Sequence, residues 1–254
     1  MRTSTRLADY AMMVLSIVLG GGSIVLFAWA DRPILVPLGL SLAAAAAWNV
    51  LVSCLFFLQH SVMVRRSVRA RLAAVVPERY DGAFYSITSG IALAAAVLLF
   101  QPLGEPLFVL HGTARLAVTA LALLALTALA WGALALGGFD PLGLRPIRNH
   151  LRGPRPGQPL LRAKTFVVRG PYRWVRHPLY SSIAVLLWAD PDVTVGRLAI
   201  AAAWTAWMIV GAVLEERDLV ADFDGAYRRY QRQVPMLIPW RGRACAAVVE
   251  RQQA

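Results

Sequence analysis

The chain has 254 residues, 58% of them hydrophobic and 16% charged, where soluble domains run near ~45–50% and ~25%. The apolar excess falls in blocks, which excludes a single greasy core and points to several membrane spans. The net charge of +12 comes from basic residues set between those blocks, not from a basic face carrying readout elements, so nucleic acid is excluded as the partner.

In chain order, Arg2 and Arg6 precede an apolar stretch from Ala11 to Ala30. It ends in Ala28-Trp29-Ala30, which mimics a cleavage site, but it exceeds the ~7–15 residues of a signal-peptide core. It therefore reads as a first transmembrane helix. Gly20-Gly21-Gly22 within it reads as a close-packing surface or a soft point. Apolar blocks fall at about 10–30, 35–58, 83–103, 115–137, 178–190 and 195–215. The expected fold is an all-α, polytopic helical membrane protein of about six spans. The short fifth block, followed by Asp190-Pro191-Asp192, is either a short span or one arm of a helical hairpin with the sixth. Residues 1–137 are expected to carry the N-terminal spans, 138–240 a catalytic, cofactor-binding core, and 241–254 a tail.

All but three of the 26 basic residues (Arg32, Arg115 and Arg197) fall in alternate intervening segments. By the positive-inside rule these segments face the cytoplasm, which predicts an even number of spans and both termini inside, in the inner membrane. Cys54 lies in an apolar block and Cys245 in the polar tail, so a disulfide is not expected, and no metal-ligand spacing occurs. No obligate protein partner is evident, and the lipid bilayer is the expected surroundings.

Two clusters carry chemistry. The first is Arg169-Gly-Pro-Tyr172-Arg173-Trp-Val-Arg176-His177-Pro178-Leu-Tyr180. Pro178 suits the first turn of a helix, and His177 and Tyr180, three apart, share a face. An interfacial belt has the same composition. The second is Glu215-Glu216-Arg217-Asp218, followed by Phe223-Asp224-Gly225-Ala-Tyr227-Arg-Arg-Tyr230 and Val234-Pro235. Paired carboxylates after an apolar span require a positive partner, either an arginine or a cationic ligand.

An RHPxY segment, a helical hairpin and then EExxL…YxxYxxxVP resembles the isoprenylcysteine carboxyl methyltransferase and phospholipid methyltransferase superfamily over residues 165–240. Asn49, Gln59-His60-Ser61-Val62-Met63-Val64-Arg65, Gly138-Phe139-Asp140-Pro-Leu-Gly143-Leu-Arg145 and the ending Val234-Pro235-Met236-Leu237 are similar to the bacterial methanethiol S-methyltransferases. The resemblance implies S-adenosylmethionine as cofactor and a small thiol as substrate. A lipid-like carboxylate or amine acceptor and a non-catalytic, nurim-like scaffold are the alternatives.

In the roles it implies, Glu215 or Glu216 receives the cofactor ammonium, Arg173 or Arg176 meets its carboxylate, and His177, Pro178 and Tyr180, with Tyr172, Tyr227 and Tyr230, complete a cytoplasmic pocket. His60 is the candidate base for the thiol, Arg145 the stabiliser of a thiolate, and Asp140 the group that orients one of them. His60 as an ordinary helix-end cation is the alternative. His111 and His150 carry no constellation. Two departures from the superfamily pattern stand out: Ser181-Ser182 replaces a small glycine position, and Asp224 is inserted before the tyrosine pair, where it threatens the Tyr227/Tyr230 register.

Overall fold

A computed structural model describes residues 3–27, 37–153, 165–242 and 249–251. Ala28-Trp29-Ala30, Lys164 and Cys245 lie outside the described residues. The elements, in order, are α1 (Thr3–Leu15), a π-helical segment (Ser16–Gly21), α2 (Gly22–Phe27), α3 (Leu42–Met63), α4 (Arg66–Leu72), a 3-10 turn (Glu78–Tyr80), α5 (Asp81–Leu99), β1 (Pro106–Val109) and α6 (Gly112–Ala135). They continue with α7 (Leu144–Arg152), β2 (Thr165–Val167), a second 3-10 turn (Gly170–Arg173), α8 (Pro178–Trp188), β3 (Asp192–Thr194), α9 (Val195–Gln233) and β4 (Val249–Arg251).

The six expected apolar blocks resolve as five helices long and apolar enough to cross a membrane, Thr5–Phe27, Leu42–Met63, Glu78–Leu99, Gly112–Ala135 and Val195–Gln233, and one that is not. The fifth block forms α8, whose 11 residues rise only about 17 Å at 1.5 Å each, short of the ~30 Å hydrocarbon layer. Its continuation stops at Asp190-Pro191. The last long helix does the opposite. Its 39 residues rise roughly 58 Å, well beyond the ~30 Å layer. Glu215 and everything after it therefore extend past the apolar part.

The chain divides into two compact units, residues 1–104 with 140–158, and residues 105–139 with 159–254. In the first, the π segment and α2 pack on α5. A Cβ on Gly20 would run into Ser86, and one on Gly90 into the Leu19 backbone, whereas Gly21 and Gly22 face open space. Only the first glycine of the triplet therefore serves close packing. The Ser16 hydroxyl donates to the Leu142 carbonyl (2.6 Å), and Asn49 and Gln101 exchange two hydrogen bonds of 2.8 Å between α3 and the residues after α5. Asp9, fully buried, accepts from the Tyr80 hydroxyl (2.6 Å) and from Arg79 Nε (3.2 Å). His150 Nε2 lies 3.9 Å from its other oxygen. His150 thus does join a constellation, one whose partners are scattered over three elements.

In the second unit, α8 packs on both α6 and α9, and α8 and α9 form the arms of the expected hairpin, joined through β3. The short strand β1 pairs antiparallel with β3, and β2 with β4. Arg115 and Arg197, exceptions to the charge rule, are paired: Arg115 with Asp192 (2.7 Å) and Arg197 with Asp190 (3.2 Å).

The glycine packing in the first unit is testable. Gly90→Val is expected to lower stability in detergent by about 1–3 kcal/mol, the usual cost of overpacking, while Gly21→Ala leaves the thermal midpoint unchanged. Equal midpoints for the two variants would contradict the close approach.

Candidate active site

The segment before α8 is held against the end of α9 by one side chain. Arg176 Nε and Nη2 make a two-pronged contact with Glu216 (2.6 and 3.2 Å). Arg176 Nη1 donates to the carbonyls of Gln231 (3.0 Å) and Val234 (2.6 Å). The backbone joins in: Arg176 N donates to Pro235 O (2.9 Å) and His177 N to Met236 O (3.1 Å). This explains why a Val-Pro-Met-Leu stretch follows the last helix. It offers carbonyls to residues 176 and 177, and the missing N–H of Pro235 costs nothing there.

Glu216 is 8% exposed and fully used. Besides Arg176 it meets His177 Nε2 at 3.1 Å and accepts from Gln231 Nε2 at 2.8 Å. The positive partner demanded by the acidic pair is, for Glu216, an arginine of the preceding loop. Glu215 differs. Its side chain is 49% exposed and its nearest ion-pair neighbour is His177 Nδ1 at 3.8 Å. His177 itself is buried, stands between the two carboxylates, and stacks on Tyr180 with ring centres 5.5 Å apart and planes 10° apart. Pro178 opens α8 as expected, and the Ser181 hydroxyl closes the turn onto the Leu237 carbonyl (2.7 Å).

The tyrosines divide. Tyr227 and Tyr230 are 1% and 4% exposed, packed with Val168 and Val234 and flanked by Phe166, Tyr172 and Phe223. The Tyr230 hydroxyl donates to the Tyr172 carbonyl (2.6 Å). Both are therefore core groups that fix Tyr172 from behind. Burial, reinforced by the nearby Glu215 charge, pushes the Tyr172 phenol up to about 12, so at neutral pH it remains a hydrogen-bond donor. Arg173 is half-buried in the same 3-10 turn. A cleft of about 390 Å³ opens beside Glu216, lined by Val213, Arg217, Val220, Arg228 and Gln231.

Asp224 breaks α9. Its φ of 31° and ψ of −109° are non-helical, and beyond the break Tyr227 and Tyr230 both lie in the core.

The remaining predicted residues lie in the first unit. His60, near the end of α3, has its ring 5.2 Å from that of Tyr85 on α5, with the Tyr85 hydroxyl 2.9 Å from Nε2 and 3.1 Å from Nδ1. Asp140 accepts from the backbone N–H of Leu144 (3.0 Å) and of Arg145 (2.7 Å). Its two oxygens thus hold the start of α7 and the backbone of Arg145. Gly143 is left-handed (φ 63°) and lies so close to Gly82 that a Cβ there would collide with the Gly82 and Ala83 backbone. Asp140 and Arg145 border a cavity and a helix start respectively: the cavity, about 560 Å³, is lined by Arg69, Glu78, Arg79, Asp81, Asp140 and His150 among others.

Sequence reasoning missed Gln231, Phe166 and Tyr85. None stands in a recognisable motif, and each matters only through a partner distant in the chain.

The chain is 34% identical over 203 residues to methanethiol S-methyltransferase 1 of Bradyrhizobium diazoefficiens, covering 79% of this chain and 69% of that protein. It is 32% identical to a methanethiol S-methyltransferase of Pseudomonas deceptionensis, covering 79% and 75%. With that of Mycobacterium tuberculosis it shares 30% identity over 86% of each chain. This chain belongs to the methanethiol S-methyltransferase family. No family model matches it, and no solved structure matches it significantly.

Relief of the helix break gives a direct test of the strained residue. Asp224→Gly is expected to raise stability by about 1 kcal/mol, since glycine adopts positive φ without a Cβ penalty. A lowered melting midpoint would show that the Asp224 side chain, which meets Arg228 at 3.2 Å, matters more than the backbone strain.

Proposed function

We propose that this chain is a membrane-embedded, S-adenosylmethionine-dependent methyltransferase that converts methanethiol to dimethyl sulfide. The observation that carries the site assignment is the unequal use of the two glutamates. Glu216 is consumed by Arg176, His177 and Gln231, while Glu215 keeps a half-exposed carboxylate beside His177 and Tyr172. A carboxylate free to take an ammonium, a neutral phenol and a flat stacked His177–Tyr180 pair fit a cofactor that combines a cationic amino-acid end with an aromatic base. S-adenosylmethionine supplies to such a site a methyl group on a sulfonium that leaves as a neutral thioether.

In this reading Glu215 receives the ammonium, Arg173 meets the carboxylate end, and Tyr172, His177 and Tyr180 line the remainder. Arg176, Pro178, Glu216, Tyr227 and Tyr230 hold those groups in place. A small thiol is mostly protonated near neutral pH, and the thiolate is the nucleophile. His60 takes that proton, and Arg145, placed by Asp140, stabilises the anion. Residues 138–177 and the segment after α9 lie on the cytoplasmic side of the inner membrane in this reading, since α8 and α9 count as one in-and-out hairpin and the basic residues cluster there. Both termini are then cytoplasmic, and the cofactor has direct access.

Purified protein in detergent, given methyl-labelled S-adenosylmethionine and methanethiol, is expected to release labelled dimethyl sulfide. Release with no thiol but with a lipid acceptor would replace the substrate class, and no transfer at all would remove the enzyme reading. Calorimetry separates the glutamates. Glu215→Gln is expected to weaken cofactor binding by about 1.5–3 kcal/mol, the range for a charged hydrogen bond. Glu216→Gln should instead lower stability by about 3–5 kcal/mol, because it strands a buried arginine. Full cofactor affinity in Glu215→Gln would sink the assignment.

His60→Ala is expected to slow turnover ~10²–10⁴-fold, the usual effect of losing a general base, with cofactor affinity intact. The deficit should shrink as pH rises, because the thiol then ionises unaided. A rate equal to wild type near neutral pH would assign the proton to another group.

A further inference from the structure

The α3–α5 pair carries two polar sets, and they are treated differently. At one end, the Asn49 side-chain amide is paired at both its atoms with the Gln101 backbone, and the Gln101 side chain is bonded to Leu38, Leu99 and Phe100. At the other end, which carries Arg65, Arg69, Arg71 and Arg79 nearby, six polar or sulfur-bearing side chains meet: Gln59, His60 and Met63 of α3 with Tyr85, Thr88 and Ser89 of α5. Met63 Sδ marks the meeting line. It accepts from Gln59 Nε2 (2.8 Å) on its own helix and from Thr88 Oγ1 (3.1 Å) on the other. The Tyr85 hydroxyl lies against the His60 ring.

Two atoms in this set remain unused. Gln59 Oε1 and Ser89 Oγ are shielded from solvent and have no hydrogen-bond partner. Ser89 is only 8% exposed. Its hydroxyl stands near the Tyr85 phenol but closes no bond of hydrogen-bonding geometry. Unsatisfied polar groups inside an apolar span are costly and mark functional positions. A purely structural clasp has no reason to leave them open when the same helix pair closes its other end.

We infer that Gln59, Ser89 and Tyr85, around His60 and Met63, form the binding subsite for the acceptor, a small neutral thiol. The inference rests on the methyltransferase reading above. The chemistry matches both states of the acceptor. An S–H is a weak donor that needs an acceptor, which Gln59 Oε1 or a ring nitrogen of His60 provides. A thiolate needs donors, which the Ser89 and Tyr85 hydroxyls provide. The Met63 methyl and thioether supply a soft, polarisable wall. Thr88 is a positioning residue: its hydroxyl also bonds the Phe84 carbonyl (2.9 Å) and fixes Met63.

The test is initial-rate kinetics of the full-length protein in detergent with methanethiol as the probe, beside calorimetry with S-adenosylmethionine. Ser89→Ala and Gln59→Met are each expected to raise KM for methanethiol roughly 2- to 10-fold, the loss of one ordinary hydrogen bond. The cofactor affinity should stay within about twofold of wild type. If Gln59→Met fails to fold, Ser89→Ala, a single-atom deletion, decides the matter. Unchanged KM in a folded Ser89→Ala protein, with or without a lowered melting midpoint, would reduce the patch to an interhelical clasp or a water site while leaving the thiol methyltransferase intact. A wild-type protein that methylates no thiol would remove the function and the subsite together.

Discussion

The approach to α8 and the end of α9 depend on the Arg176–Glu216 contact. Arg176 reaches a carboxylate on α9 and two carbonyls beyond it, so one guanidinium fixes the strand-like residues 234–237, the approach to α8 and the long helix together. The pair sits at the border of an apolar span, where an ion pair survives only with its hydrogen bonds complete. They are complete here: both Glu216 oxygens and three Arg176 nitrogens are used. Everything assigned to cofactor binding is then positioned relative to a fixed point. Glu215 is turned outward because its neighbour is turned inward, and His177 is held edge-on between the two by Glu216.

Much of the architecture was legible in the sequence because bilayer thickness acts on composition directly. Long apolar runs give long helices, and Arg115 and Arg197, which violate the charge rule, are both paired with aspartates of the short stretch before α9, Asp192 and Asp190. The length of α8 was less legible: the run 178–190 looks like part of a span until Asp190-Pro191 is weighed as a stop. The need for a cation beside the acidic pair was legible too, but not whether protein or ligand supplies it, since that depends on which carboxylate points inward on the helix. Gly138–Arg145 carries family resemblance, yet much of it is turn geometry: Asp140 caps a helix start and Gly143 packs against Gly82. Motif resemblance does not separate a residue kept for its reactivity from one kept for its backbone. The Asp9 cluster, assembled from residues far apart in the chain, left no local signal at all.

The two ends of the α3–α5 pair show how polar satisfaction separates structure from function inside a membrane protein. A closed amide pair such as Asn49–Gln101 adds modest interhelical affinity. An open set leaves hydrogen-bonding capacity that only a ligand or water can complete. The distinction is invisible to hydropathy, which scores both ends alike, and it does not need a large cavity, because the acceptor is small.

The break at Asp224 gives the long last helix a mechanical character. Glu215 and Glu216 lie on the stretch continuous with the apolar part, whereas Tyr227 and Tyr230 lie beyond the bend. The bend does not leave the two arms independent, because Gln231, beyond it, donates to Glu216, before it, and Arg176 binds Glu216 together with the Gln231 and Val234 carbonyls. When a span tilts to match the thickness of its bilayer, the glutamates and the aromatic core behind Tyr172 are therefore carried as one rigid bracket.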